Sequence, residues 1–202
     1  MRPIRTMRPL GEEMARPREF DIDHALDRAM GVFWKKGYEG ASLQDLLDAM
    51  NIARGSLYKA FEDKRAIYLA ALDRYDETVV EDGIAFLRDP KAGDGLARIR
   101  GMFEGAKKDT ARRGCFICNA AIDQARIDPE VDAKVSTMLQ RLEDALAVAL
   151  KQSRRGARWS AKRHAKTAAF LLSNYMGLRV LARSGYSDND LQAIIDVVLA
   201  AV

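Results

Sequence analysis

The chain is poor in the residues that most chemistry requires. Its 202 residues include only two His and two Cys. That supply is too thin for a Ser/His/Asp or Cys/His catalytic set, or for a second metal-binding Cys pair. Gly93-Asp94-Gly95 lacks the strand and the third glycine of a phosphate-binding loop. No Val/Ile/Thr-rich segment alternates with polar residues over any length, so no sheet is expected. No apolar run approaches the ~18–20 residues that span a bilayer. The first twenty residues carry no apolar signal-peptide core. The expectation is a cytoplasmic protein without a disulfide framework, membrane segment, metal or cofactor. An enzyme, or a helical ligand-binding protein without a nucleic-acid function, is the weaker reading.

What is present is helical material. Hydrophobic residues make up 48% of the chain, ample for a core. The net charge is +4 and the pI about 9.1, too mildly basic to single out nucleic acid as a partner. Residues 14–66 hold nine Lys/Arg and nine Asp/Glu, net zero. Any nucleic-acid reading must therefore rest on where charges sit.

The periodicity predicts an all-α chain of about nine helices, over 22–36, 42–50, 54–61, 62–88, 95–111, 115–125, 130–153, 160–184 and 188–201. The first carries Ile22, Ala25, Leu26, Ala29, Met30, Phe33 and Trp34 at i, i+3, i+4 spacing, with Asp21 or Asp23 as cap and Gly37 as terminator. Ser42 with Asp45 approximates a capping box. Asn51 suits a left-handed helix end. Asp89-Pro90 through Asp94 is a turn cluster between an N-terminal part and the remainder. Residues 1–17 read as a flexible arm, and Met14 is an alternative start.

The segment from Ser42 to Phe61 reads as two short helices joined by a tight turn. The second opens with Arg54, Gly55, Ser56, Tyr58 and Lys59, small or hydrogen-bonding groups where a core helix would carry aliphatics. That is the layout of a helix-turn-helix whose second helix enters the DNA major groove. Ala53 is a poor N-cap, and Gly55 weakens the first turn while allowing close approach of the backbone to a phosphate.

These residues resemble the tetracycline-repressor-type (TetR/AcrR) family of transcriptional regulators. The likeness rests on Phe33, Gly37-Tyr38, Ser42, Leu46, the run from Ile52 to Phe61, Lys64 and the apolar stretch from Ile67 to Leu72. Gly114 to Ala121 looks like a segment found in one branch of that family. The resemblance implies a homodimeric repressor of a pseudo-palindromic operator, with an N-terminal three-helix DNA-binding domain over 18–78, helix-turn-helix about 42–61. An effector-binding and dimerisation domain would span 79–202. Ala60 stands where many members have His, so a contact made by that His is absent.

For DNA, the candidate residues are Ser42, Gln44, Arg54, Gly55, Ser56, Tyr58, Lys59 and Lys64. Arg54 can read guanine O6 and N7 or hold a phosphate. Tyr58 can contact phosphate or pack against the first helix. Lys64 can meet a phosphate at the start of the fourth helix or remain a surface lysine. For a small-molecule effector of unknown identity, the candidate lining is Phe103, Phe116, Cys118, Phe170, Tyr175 and Met176, with Trp159 in the same aromatic set. Each could equally be plain core. Cys115 and Cys118, three apart on a helix, are read as buried apolar groups, with a thiol-, redox- or metal-responsive regulator as the alternative. The last two helices offer Phe170, Leu171, Tyr175, Leu178 and Leu181, then Leu191, Ile194, Ile195, Val198 and Leu199. That surplus of apolar surface is expected to pair two subunits as a four-helix bundle.

Overall fold

The computed structural model describes residues 21–108 and 113–202. The expected arm over 1–17, the Met14 question and the last residues of the helix expected over 95–111 lie outside the described residues. The described residues are helical throughout, without strands, in the order α1 (Ile22–Gly40), α2 (Leu43–Met50), α3 (Arg54–Ala60), α4 (Lys64–Tyr75), α5 (Glu81–Arg88), α6 (Gly95–Gly105), α7 (Phe116–Asp123), α8 (Pro129–Lys151), α9 (Ala161–Arg183) and α10 (Asp188–Ala200). A π-helical turn, Asp76–Val80, joins α4 to α5, so these form one rod and the described residues make nine rods.

Helix ends follow local chemistry. Asp21 accepts from the Asp23 and His24 backbone N–H groups at the start of α1. Gly37, at φ 73°, interrupts α1 in a conformation that a Cβ would strain, and a last turn continues to Gly40. The fourth helix starts at Lys64 rather than Glu62, because the Asp63 carboxylate caps it by accepting from Ala66 N at 2.7 Å. Asp128, Ser160 and Ser187 cap α8, α9 and α10, and Pro129 takes the first position of α8.

The π turn has a visible partner. Its widened ring carries the Glu81 N–H to the Asp76 carbonyl, five residues back. Asp76 and Glu81 thereby present their carboxylates to one guanidinium, that of Arg141 on α8, with Asp76 at 2.5 Å. Lys134 to Asp73 (2.5 Å) and Arg65 to Asp128 and Glu130 (2.5 and 2.9 Å) continue this line of ion pairs between the α4–α5 rod and α8.

Packing divides the molecule into two parts, connected by the continuous α4–α5 rod, by α4 against α8 and by α7 against α1. In the first, α1 lies against α4 and α2, burying Ala29, Phe33, Leu46, Leu57, Ile67 and Leu72. Each large aliphatic or aromatic group of this kind contributes about 1.5–3 kcal/mol by leaving water. In the second part α8 is the hub, with α5, α6, α7 and α9 packed on it. Gly95 lets α6 cross α8 closely, since a Cβ there would stand 1.8 Å from the Ala149 carbonyl oxygen. Arg98, 1% exposed, donates to Leu87 O at 2.5 Å and Gln152 Oε1 at 2.8 Å, tying the end of α5 to the end of α8. We call the contact of α7 with α1 the joint.

Two expectations need correction. Ile22 is 46% exposed, outside the buried face of α1, because the apolar stripe begins only at Ala25. Much of the apolar surface of α9 and α10 is covered within the chain, so the surplus is smaller than expected. Leu171, Leu178, Leu191, Ile195, Val198 and Leu199 are buried within the single chain. Their large apolar groups left outward are Phe170, Val180 and Val197, with the exposed Ser173 and Gly177 between the first two.

Candidate nucleic-acid interface

The turn between α2 and α3 is fixed from the α2 side. Ser42 Oγ accepts from Asp45 N, and Asp45 Oδ2 accepts from Ser42 N, each at 3.0 Å, which is the capping box expected there. Lys36 reaches the same carboxylate at 2.6 Å. That lysine, with the Ser42 groups, holds the Asp45 pKa down to about 2. At the other end Asn51 adopts the left-handed conformation (φ 54°, ψ 46°), with its N–H directed back to Leu47 and Asp48. Leu46, Leu47 and Met50 are buried.

Helix α3 receives much less. Ala53 provides no side-chain cap. Leu57 is its single buried residue, 0% exposed, with Phe61 following as the second anchor just after its end. Everything else on α3 is open or half-open. Arg54, Gly55, Tyr58, Lys59 and Ala60 are exposed and Ser56 is half-buried. Nothing lies within 4 Å of a Cβ built on Gly55. Tyr58 is 51% exposed. Among the described residues neither Arg54 nor Lys59 has an ion-pair partner.

The flanking candidates are committed more tightly. Ser42 Oγ is used by its own cap, and Gln44 Nε2 donates to Asp48 Oδ1 at 2.7 Å. Lys64 sits 4.5 Å over the Tyr38 ring while occupying the first position of α4, an arrangement that leaves its ammonium at the helix end. Tyr38 is thus a supporting residue that sequence reasoning used only as a family marker. The neutral charge sum conceals a sorted surface: Asp45 is paired with Lys36 and Asp48 with Gln44, whereas the cations of α3 stand alone.

The second candidate site is interior. A cavity of about 80 Å³ lies between the π turn, α6, α9 and the start of α7. Of the expected effector residues it collects Tyr175 and Met176. Phe103 is fully buried, its ring 5.4 Å from that of Tyr175. Phe116 belongs to an aromatic cluster with Trp34, Tyr68 and Tyr75. Cys118 points its thiol at Met176 Sδ, 3.2 Å away, outside the lining. Phe170 is 41% exposed on α9, and Trp159 stacks with Arg163 and His164 elsewhere. Sequence reasoning missed Tyr75, Val79, Gly83, Met102, Leu142 and Arg179, which also line the cavity. Only Arg179 carried a signal, a cation one turn from Tyr175 on an otherwise apolar face.

The joint runs beside this cavity. Trp34 of α1 donates from Nε1 to Gly114 O at 3.2 Å, its ring lies edge-on to Tyr75 with centroids 5.0 Å apart, and its carbonyl accepts from Asn119 Nδ2 at 3.3 Å. Arg179 also donates to Gly114 O.

A short, solvent-facing helix with unpaired cations, set by a tight turn behind a capped helix, defines a helix-turn-helix DNA-binding protein. The comparisons with known proteins agree. Residues 25–71 match the model of bacterial regulatory proteins, tetR family, and residues 95–197 that of the tetracyclin repressor-like C-terminal domain. The chain is 32% identical over 193 residues to the HTH-type transcriptional repressor ComR of Escherichia coli (strain K12), covering 91% of this chain and 90% of that one. It is 39% identical over 136 residues to the uncharacterized HTH-type transcriptional regulator YezE of Bacillus subtilis (strain 168), covering 65% and 69%. Among solved structures, a cysteine-substituted TetR family regulator CifR, complexed with a 26 bp double-strand operator DNA, superposes with a TM-score of 0.75 at 28% identity, covering 92% of this chain and 98% of that one. The chain belongs to the tetR family of bacterial transcriptional regulators; it is a DNA-binding regulator and not an enzyme. No helix among the described residues is long and apolar enough to cross a membrane.

Proposed function

We propose that the chain represses transcription as a homodimer, placing two α3 helices in successive major grooves of a pseudo-palindromic operator. The groove spacing would be about 34–36 Å. The observation that carries this reading is the outward set Arg54, Tyr58 and Lys59 on a helix whose one buried residue is Leu57. Arg54 reads a base edge, Tyr58 and Lys59 hold phosphates, Gly55 admits the backbone, and Lys64 meets a phosphate at the start of α4. Residues 18–78 are the DNA-binding domain and 79–202 the effector and dimerisation domain. The dimer forms through the outward faces of α9 and α10, where Phe170, Val180 and Val197 are exposed. The setting is the cytoplasm, in keeping with two free thiols.

A small-molecule effector enters the cavity beside Tyr175 and Met176. At about 80 Å³ the cavity is far below the ~300–1,000 Å³ of drug-sized ligand sites. An effector of more than a few heavy atoms therefore parts the walls, and the work falls on the joint at Trp34. Its influence on DNA binding equals its differential affinity for the two forms.

The test is selection of bound duplexes from a random pool, followed by titration with the purified chain. A two-fold symmetric consensus bound by two chains per duplex is expected. A consensus without symmetry, or no enrichment, overturns the reading.

A further inference from the structure

The Cys115/Cys118 pair lies at the joint, and its surroundings differ from those of two inert core thiols. Cys115 holds the extended N-cap position of α7 (φ −106°, ψ 124°) and Cys118 follows one turn later. Residues so spaced on a helix have Cβ atoms about 5–6 Å apart, and a disulfide needs about 3.5–4.5 Å. Cys115 has no helical neighbour before it, although its carbonyl accepts the first bond of α7 from Asn119 N–H at 3.1 Å, and a displacement of about 1–2 Å there would close that gap. Cys115 lines the cavity, whose wall includes the 40%-exposed Val79. A cavity of about 80 Å³ has room for a hydroperoxide group, since one water takes about 30 Å³.

We propose that Cys115 and Cys118 form a hydroperoxide-reactive thiol–disulfide switch that governs DNA binding; the output rests on the DNA-binding reading above. The Cys118 thiol and backbone N–H favour the Cys115 thiolate against burial and bring its pKa down to about 6, while the Cys118 thiol is held protonated beside it. The pair is thus one nucleophile and one proton donor at neutral pH. The Cys115 thiolate attacks the terminal peroxide oxygen. An S–O bond forms, the O–O bond breaks, and the leaving alkoxide takes the Cys118 proton as alcohol. The Cys118 thiolate then attacks the sulfenic sulfur, the S–S bond forms, and hydroxide leaves to become water with a solvent proton. Two thiols lose two electrons, and one hydroperoxide is reduced to an alcohol and water. The movement of Cys115 is felt on both sides at once. Gly114 O holds Trp34 of α1, and the Phe116 ring lies against Trp34 and Tyr75, with centroids 6.1 and 5.5 Å away.

The test treats the reduced full chain with an equimolar alkyl hydroperoxide and follows intact mass and operator affinity together. A loss of about 2 Da is expected, reversed by dithiothreitol, with affinity falling about tenfold or more. Cys118→Ser should stop at a dimedone-trappable sulfenic acid on Cys115, and Cys115→Ser should not react. An unchanged mass, a disulfide that leaves affinity unaltered, or reaction first at Cys118 overturns the proposal. The wild-type mass measurement stands even if either variant fails to fold. Failure of the untreated chain to bind any duplex would instead strike the DNA-binding reading, and with it the switch's output.

Discussion

Helices α2 and α3 are neighbours of nearly equal length built to opposite specifications. α2 has a reciprocal cap, a left-handed terminator and three buried side chains. α3 has no cap, a glycine in its first turn and one buried side chain. A helix of seven residues cannot hold itself in water. Its order therefore comes from Leu57, Phe61 and the rigid turn behind it, and its outer face stays free for another task. In a protein whose stability is only about 5–15 kcal/mol, placing rigidity in α2 and chemistry in α3 lets the outer residues vary without unfolding the domain.

The largest test of this division is Leu57→Ala. Removing the one buried side chain within α3 should cost about 2–5 kcal/mol, read by denaturant unfolding. A loss below 1 kcal/mol would mean that α3 is not clamped through Leu57. Arg54→Ala should leave unfolding unchanged while lowering affinity for the selected operator about ten- to hundredfold and relaxing preference at one base pair. Destabilisation without loss of discrimination would reverse the assigned roles. Ser42→Ala should destabilise by about 0.5–2 kcal/mol, and Ala53→Ser should recover part of that amount by giving α3 the cap it lacks. Equal responses at the two sites would erase the contrast. Lys64→Ala should reduce the salt dependence of log K by about 0.9 and weaken all sequences alike.

The smallest effect is at the far end of the α4–α8 seam. Arg65 holds the Asp128 pKa at about 2, below its ordinary value of 3.8. The pair's contribution is therefore present above that ordinary value and fades as pH falls toward 2. The stability gap between wild type and Asp128→Asn should close over that window; a gap that persists at pH 2 would point to the α8 cap instead.

How much of this was legible in the sequence follows from range. The capping box at Ser42 and Asp45 and the stop at Asn51 involve residues within a few positions of one another, and pattern reading places them correctly. The π turn was not legible, because the guanidinium that its carboxylates meet, Arg141, lies sixty-five residues from Asp76. The cavity joins Tyr75 to Arg179 across most of the chain, so only Tyr175 and Met176 were in the expected set. Periodicity also marks which face of α9 and α10 is buried without saying against what. Much of it packs on the chain's own α8 and α6.

The most direct measurement is amide hydrogen exchange along α2 and α3, in the free chain and with a selected duplex. Without DNA, α3 should exchange faster than α2, and DNA should slow α3 most, leaving α2 little changed. Equal exchange in the two free helices, or protection by DNA that bypasses residues 54–60, would contradict an α3 that borrows its order and faces nucleic acid.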